Sequence, residues 1–245
     1  MQALSDKVAI VTGAAGGIGV GIVTSLVTEG ARVVVTDLTD ERLEGARPSF
    51  AGFGDRVTYV AADITDEQQT FGIVEAGERA FGKIDVLVNN AAVGGTGKTI
   101  LDLPVEEWTK LLTVDLTGTF LMCRAVLPGM ISRSRGSIIN ITSIAGVEGL
   151  AGSVHYSAAK SGLHGLTKAL AREVAQHYIN VNAVAPGLVD TEMSRRRGQE
   201  ESRKMVLWPR IGLPSDIGDA VAYLASDSAE FITGQVVEVG GGTHM

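Results

Sequence analysis

Between Lys7 and Asp37 the chain reads as a strand, a glycine turn, a helix, a second strand and an acid, in that order. Lys7-Val8-Ala9-Ile10-Val11-Thr12 is apolar and β-branched, the composition of a short buried strand. It runs into Gly13-Ala14-Ala15-Gly16-Gly17-Ile18-Gly19, after which Ile22, Val23, Leu26 and Val27 recur at helical spacing. Arg32 to Thr36 is the second strand, and Asp37 closes it. A helix between two strands supplies the crossover that a parallel pair needs, so this stretch points to an α/β fold. Its physics also suits a dinucleotide. Glycines let the backbone approach a pyrophosphate, and a helix N-terminus stabilises negative charge. Asp37 lies eighteen residues after Gly19, close to the roughly 20 expected of an acid that binds a ribose. Glycine is plentiful, 31 of 245 residues, so a turn of small residues alone would mean little. The strand and acid that follow give it weight.

A second constellation lies near the middle. Tyr156 and Lys160 are four residues apart, with Ser143 thirteen residues before the tyrosine. On a helix, positions i and i+4 share a face. A phenol is a poor base at neutral pH, but a fixed cation nearby favours the phenolate. The pair makes a tunable proton donor and acceptor, beside which Ser143 can hold a substrate oxygen. Tyr-x-x-x-Lys is common on helices, and a strand-end serine often only caps a turn, so this pattern gains meaning from the N-terminal one.

Strand and helix signals alternate along the rest. Strands are predicted at Arg56–Ala61, Ile84–Val88, Ser137–Ile141, Val181–Val184 and Gln235–Val239. Helices are predicted over Asp40–Arg47, from Asp66 to Phe81 with Gln69 as capping-box partner, from Pro104 to Met130, and from Val154 to His177. The expectation is one domain, residues 1–245, with a doubly wound parallel sheet of about seven strands, a Rossmann fold with helices on both faces. Right-handed crossovers then bring the glycine turn, Asn89, Ser143 and Pro186 to one sheet edge, where open α/β sheets bind ligands.

Taken together, these residues resemble the short-chain dehydrogenase/reductase family over nearly the whole chain. The resemblance rests on Thr12-Gly13 to Gly17-x-Gly19, Asp63, Asn89-Asn90-Ala91, Ser143, Tyr156, Lys160, Pro186-Gly187, Thr191 and Ile232-Thr233-Gly234-Gln235. It implies hydride exchange between a nicotinamide cofactor and a carbinol or carbonyl carbon. Tyr156 moves the hydroxyl proton, Lys160 supports it and holds ribose hydroxyls, and Ser143 donates to the developing alkoxide. Cofactor contacts are implied at Gly13, Gly17, Ile18, Gly19, Asp37, Leu38, Asp63, Ile64, Asn89, Pro186, Gly187, Val189 and Thr191. Asp63 and Ile64 are expected to bracket the adenine, Asn89 to line the adenosine side, and Thr191 to reach the nicotinamide amide or pyrophosphate. Members that use NADP usually carry a basic residue where this chain has Gly16 or Leu38; with Asp37, this implies NAD. The resemblance also implies a lid over the substrate at about 188–212 and a homotetramer packed through its long helices. The run Arg195-Arg196-Arg197 falls in that lid; a solvated face is the plain alternative for it.

One catalytic position departs from the family pattern. Asp115 stands where the family usually has asparagine, whose backbone carbonyl holds a water linked to the lysine. A backbone role survives the change, but a carboxylate near Lys160 opposes phenolate formation. Ala92 and Gly240 are milder departures. The leading reading is an NAD-dependent secondary-alcohol dehydrogenase or ketone reductase. A 3-oxoacyl thioester reductase is the alternative, with Arg133 and Arg135 as candidate carrier-protein contacts. A catalytically silent NAD-binding scaffold is the reading from another class. The substrate region, Gly94 to Gly97, Ala145 to Val154 and the lid, does not choose among alcohols.

Composition trims the partners. Net charge is −7, which gives no support to nucleic-acid binding. No apolar run approaches the roughly 20 residues of a membrane span, and the first residues lack signal-peptide character. The lone cysteine, Cys123, lies in an apolar stretch, is expected to be buried and inert, and fits a reducing cytoplasm. His155, His164, His177 and His244 show no zinc spacing, so no metal is expected. His155 is read as structural or as lining the pocket rim.

Overall fold

The computed structural model describes residues 2–191, 194 and 204–244. Seven parallel strands form one sheet in the order β3-β2-β1-β4-β5-β6-β7. They are β1 (Val8–Thr12), β2 (Arg32–Asp37), β3 (Val57–Ala61), β4 (Val86–Asn89), β5 (Gly136–Ile141), β6 (Ile179–Pro186) and β7 (Val236–Val239). All seven fall where the sequence predicts them, to within two residues at either end. β1 pairs with both β2 and β4, so the strand order reverses there and a crevice opens beyond the strand ends.

Each face of the sheet carries its own core. Ala9 and Val11 of β1 pack with Ile22, Val23 and Leu26 of α1 (Gly17–Thr28), Leu43 of α2 (Asp40–Phe50) and Ile217 and Val221 near the C-terminus. Val8 and Ile10 face the other way. They join Ile73 of α3 (Glu67–Phe81), Met122 and Val126 of α5 (Thr119–Ser132) and Ala171 of α6 (Val154–Val174). The two-residue period of β1 thus serves two apolar layers at once, as a sheet covered on both sides requires. Asp66 caps α3 by accepting from the Gln68 and Gln69 amides. Gln69 does not close a capping box on Asp66. Its Oε1 reaches further back and accepts from the Asp63 amide at 2.9 Å.

The predicted long helix is continuous but not uniform. α4 (Val105–Leu112) passes through a π-helical segment, Thr113–Gly118, into α5. By length and composition Val105–Ser132 could cross a membrane, against the expectation from sequence; half of its most apolar window is buried inside the protein, and it fits a core helix. The helix absent from the sequence reading is α7 (Pro214–Ala225). It opens on Pro214, with Asp216 accepting from the Leu213 amide at 2.6 Å. Pro214 as first helical residue, followed by Ile217, Val221 and Leu224, is a legible signal.

α7 lies against α1 at unusually close range. A Cβ on Gly21 would come within 2.4 Å of the Pro214 backbone, and one on Gly218 within 2.5 Å of the Gly21 carbonyl. Both positions need glycine because backbone meets backbone. Gly21→Ala should therefore lower stability by the roughly 1–3 kcal/mol typical of overpacking, which for a chain of this length lowers Tm by roughly 2–12 °C. Gly45, exposed on α2 with nothing within 4 Å of an added Cβ, provides the contrast. Gly45→Ala should stabilise by about 0.4–1 kcal/mol. Thermal unfolding followed by circular dichroism checks both, and equal Tm values for Gly21→Ala and the parent would refute the close crossing.

Candidate active site

The nucleotide end of the crevice is organised by backbone. Gly13 has φ +59° and Gly17 φ +52°, a region that side chains disfavour. A Cβ on Gly13 would sit 2.6 Å from Ala91 Cα, and one on Gly19 2.4 Å from the Gly13 carbonyl. Asn90, unassigned by the sequence reading beyond its motif, pins this turn. Its Nδ2 donates to the Thr12 and Gly13 carbonyls, both at 2.9 Å, while Thr12 Oγ1 accepts the Asn90 and Ala91 amides at 3.0 Å. Ile18 is half-buried against the first core. α1 begins at Gly17 with no side chain capping it and no acid in its first turn. Its leading amides are therefore free of protein carboxylates, and the cradle suits a pyrophosphate.

Asp37 is buried at the end of β2. Its Oδ2 accepts from the Ala15 amide at 3.0 Å and its Oδ1 from the Leu38 amide at 2.9 Å. Arg42, unremarked in the sequence, pairs with the same carboxylate at 2.5 Å while its side chain stays 60% exposed. Leu38 is exposed beside it. Asp63 Oδ1 holds the Thr65 amide and hydroxyl, and Ile64 is buried near Gly118. The Asn89 side chain donates to Asn140 Oδ1 at 2.9 Å and to Cys123 Sγ at 3.4 Å, and Asn140 continues to Thr167. Its Nδ2 is thereby committed to the interior, while its Oδ1 has no hydrogen-bond partner among the described residues. Cys123 is buried as expected, its thiol pushed up to about 12 by desolvation.

The far side of the crevice closes over the glycine turn. Gly187 lies against Gly240 and donates its amide to the Val239 carbonyl at 3.1 Å. Val189, buried, pairs in parallel with Gly212, so both ends of the predicted lid are joined. Thr191 lies 3.6 Å from where a Gly17 Cβ would stand, which places its side chain over the turn. Arg195, Arg196 and Arg197 lie outside the described residues.

The reaction end is set by α6. Ser143 follows β5 and its Oγ accepts from the Ala145 amide at 3.1 Å. It does cap a turn, and the hydroxyl proton stays available to donate. That turn is pressed onto α6: Ser161 Oγ donates to the Gly146 carbonyl at 2.6 Å, and a Gly146 Cβ would meet Lys160. Ser143 and Tyr156, both half-buried, are thereby held on one wall. Lys160 Nζ lies 5.5 Å from the Tyr156 ring centroid and donates to the Ile141 carbonyl at 3.2 Å.

Asp115 completes the set directly. It sits in the π-helical segment, fully buried, with Oδ2 3.2 Å from Lys160 Nζ and Oδ1 accepting from the Val93 amide at 2.8 Å. Its backbone carbonyl accepts from Thr119 Oγ1 at 3.0 Å. The lysine contact is therefore made by the carboxylate itself. Burial pushes the Asp115 carboxyl above the ordinary carboxylate value, against the pull of Lys160 and the Val93 amide. Among the described residues no group of His, Cys, Asp and Glu could hold a metal ion.

A switch-point crevice with a glycine cradle at one end and Ser, Tyr and Lys at the other defines a Rossmann-fold oxidoreductase. The chain belongs to the short-chain dehydrogenase/reductase family. The family profile described as "Enoyl-(Acyl carrier protein) reductase" matches residues 13–244. The chain is 38% identical over 245 residues to 3-oxoacyl-[acyl-carrier-protein] reductase FabG of Vibrio cholerae serotype O1, covering 99% of each. It is also 38% identical to 2-(R)-hydroxypropyl-CoM dehydrogenase of Xanthobacter autotrophicus, covering 96% of this chain and 98% of that one. Among solved structures it is similar to NAD+-bound xylitol dehydrogenase, with TM-score 0.93, 31% identity and coverage of 98% and 99%.

The Asp115–Lys160 contact makes a pH prediction. Below its raised titration Asp115 is neutral and resembles asparagine; above it, the anion offsets the Lys160 charge and opposes a phenolate. The alkaline limb of alcohol oxidation should lie at higher pH in the parent than in Asp115→Asn. The difference should be roughly one pH unit, equivalent to about 1.4 kcal/mol. Profiles of kcat/KM against pH decide it; superimposable curves would remove the electrostatic role.

Proposed function

We propose that the protein transfers hydride between NAD(H) and a secondary alcohol or its ketone. The observation that carries this reading is Asp37. Two backbone amides hold its carboxylate at the end of β2, where an acid would repel a 2′-phosphate and accept from a 2′-hydroxyl. The cofactor supplies the hydride acceptor or donor. Gly13 to Gly19 and Thr191 hold its pyrophosphate side, and Asp63 with Ile64 flank the adenine. Tyr156 takes the alcohol proton, Ser143 donates to the substrate oxygen, and Lys160 favours the phenolate. An NAD+-bound structural neighbour and a dehydrogenase relative that acts on a hydroxypropyl substrate support this class.

A 3-oxoacyl thioester reductase is the second reading, favoured by the FabG relatives and by Arg42, a cation within reach of a 2′-phosphate. Its carrier-protein contacts fit poorly. Arg133 and Arg135 precede β5, at the sheet edge opposite Ser143 within the subunit. Arg133 donates to the Ile84 carbonyl and Arg135 pairs with Asp227, so both are engaged in the fold. A silent scaffold is the weakest reading, since Ser143, Tyr156 and Lys160 converge. We further place four copies in the assembly, paired through the apolar groove of about 400 Å³ between α5 and α6, lined by Phe120, Leu127, Ile131, Leu166 and Leu170. Light scattering at micromolar concentration reads that mass. A cytoplasmic location accords with the single, buried cysteine.

One set of measurements tests the activity. Fluorescence titration should show NADH bound much more tightly than NADPH, and Arg42→Ala should widen the gap by removing the cation beside Asp37. Equal dissociation constants would overturn the NAD assignment. In a screen of polyols, cyclic alcohols and 3-hydroxyacyl thioesters, Tyr156→Phe should lower kcat by roughly 10²–10⁴ on whichever substrate turns over. Parent-like turnover by Tyr156→Phe would take the phenol out of the mechanism.

A further inference from the structure

Beyond β7, residues 240–244 turn back toward the strand they leave. Thr243 donates its amide to the Gly240 carbonyl at 3.1 Å and its hydroxyl to the same oxygen at 2.5 Å. Gly241 and Gly242 have φ +57° and +76°, a region open mainly to glycine. The turn brings His244 Nδ1 within 3.0 Å of Glu238 Oε2 on β7. Between these ends the tail is a strap. The Gly241 carbonyl accepts the Trp208 amide at 2.9 Å. A Cβ on Gly241 would come within 2.9 Å of Val206 and 3.1 Å of Trp208, and one on Gly242 within 3.0 Å of Leu207. On the other side of the strap, a Cβ on Gly187 would lie 2.6 Å from Gly240 Cα and 2.9 Å from Thr243 Oγ1. The strap therefore joins the cofactor wall at Gly187 to residues 206–208, in the described C-terminal part of the predicted lid. Leu207 and Trp208 are 69% and 61% exposed. Burial does little to hold their side chains, and the strap backbone fixes the segment together with buried Val206.

The pair that closes the strap is titratable. The hydrogen bond and charge of Glu238 hold the His244 titration above the ordinary histidine value, with a smaller pull from Glu148 in the loop before α6. From α6, His164 and Lys168 also face this corner. Burial, and then the Lys168 charge, push the His164 titration down, against the pull of Glu238. The two imidazoles beside Glu238 thus titrate on opposite sides of the ordinary value, and a rise in pH through the upper one discharges His244 alone. A raised titration means that the pairing is complete at low pH and is lost as pH rises through it.

We propose that the His244–Glu238 ion pair latches the C-terminal strap and so positions Leu207 and Trp208 for substrate binding, with His244 as a pH-sensitive positioning residue. The substrate-binding part rests on the reaction read above; the latch itself does not. Alcohol KM should rise on the alkaline side of the His244 titration, while kcat, set by Ser143, Tyr156 and Lys160, follows its own profile.

The chain has two tryptophans, so Trp108→Phe leaves Trp208 as the single reporter. In that background, emission should move to longer wavelength between about pH 6 and pH 9, which spans the ordinary histidine value and the range above it. Adding His244→Gln or Glu238→Gln should hold emission at the released end at every pH and remove the step. With the alcohol that turns over, KM of the Trp108→Phe protein should rise about two- to fivefold across the step, the scale of one exposed ion pair, and both added substitutions should abolish that rise. A step of equal size with and without the pair, or no step at all, would overturn the latch. An emission step with a flat KM would overturn the positioning role. Should only a 3-oxoacyl thioester react, the same KM comparison is made with it, and the emission step is read without any substrate.

Discussion

Every strand of the sheet runs the same way, and that single constraint decides where chemistry can occur. Parallel neighbours need crossovers, so each strand hands its chain to a helix at the same edge. The glycine turn, the Asn90 loop, Ser143 and Pro186 all follow strand ends, and β1 splits the strand order between them. The two apolar layers, one on each face, leave this edge as the place where polar groups and backbone meet. The crevice is a consequence of topology before any functional side chain is considered.

Within that crevice the buried Lys160 ties three elements together. Its ammonium meets the Ile141 carbonyl at the end of β5 and the Asp115 carboxylate of the π-helical segment, while its backbone belongs to α6. Removing one member of such a pair leaves an uncompensated buried charge, typically at 3–5 kcal/mol. π-helical turns inside α-helices are rare and occur often at functional sites. Here the turn carries Asp115 inward and leaves its carbonyl held by Thr119. The substitution of asparagine by aspartate therefore changes the contact itself. A carboxylate stands at Lys160, so the cation that tunes the phenol carries its own counter-charge.

Much of this was legible in the sequence. Periodicity placed all seven strands, and the spacing of Tyr156 and Lys160 fixed their common face, because both depend on local geometry alone. α7 is legible in Pro214 and the Ile217–Val221 spacing, but the polar sequence before it obscures the boundary. The resemblance implies a cofactor contact at Asn89; only tertiary packing shows that its Nδ2 turns toward Asn140. Arg42 sits five residues beyond Asp37, and the first turn of α2 returns it to the carboxylate. Only the structure shows that closure.

The buried polar groups divide by how they are satisfied. Thr12, Asn90, Asp37 and Thr167 make bonds that hold backbone or side chain in one place. They serve preorganisation, and a nucleotide meets a surface already set. Asp115 Oδ2 is held differently, by the charge of Lys160 at 3.2 Å. Folded domains have a net stability of only about 5–15 kcal/mol, so a buried charge such as Lys160 needs this partner. The backbone-held groups set the shape that a nucleotide meets, and the Asp115–Lys160 pair sets the charge beside Tyr156.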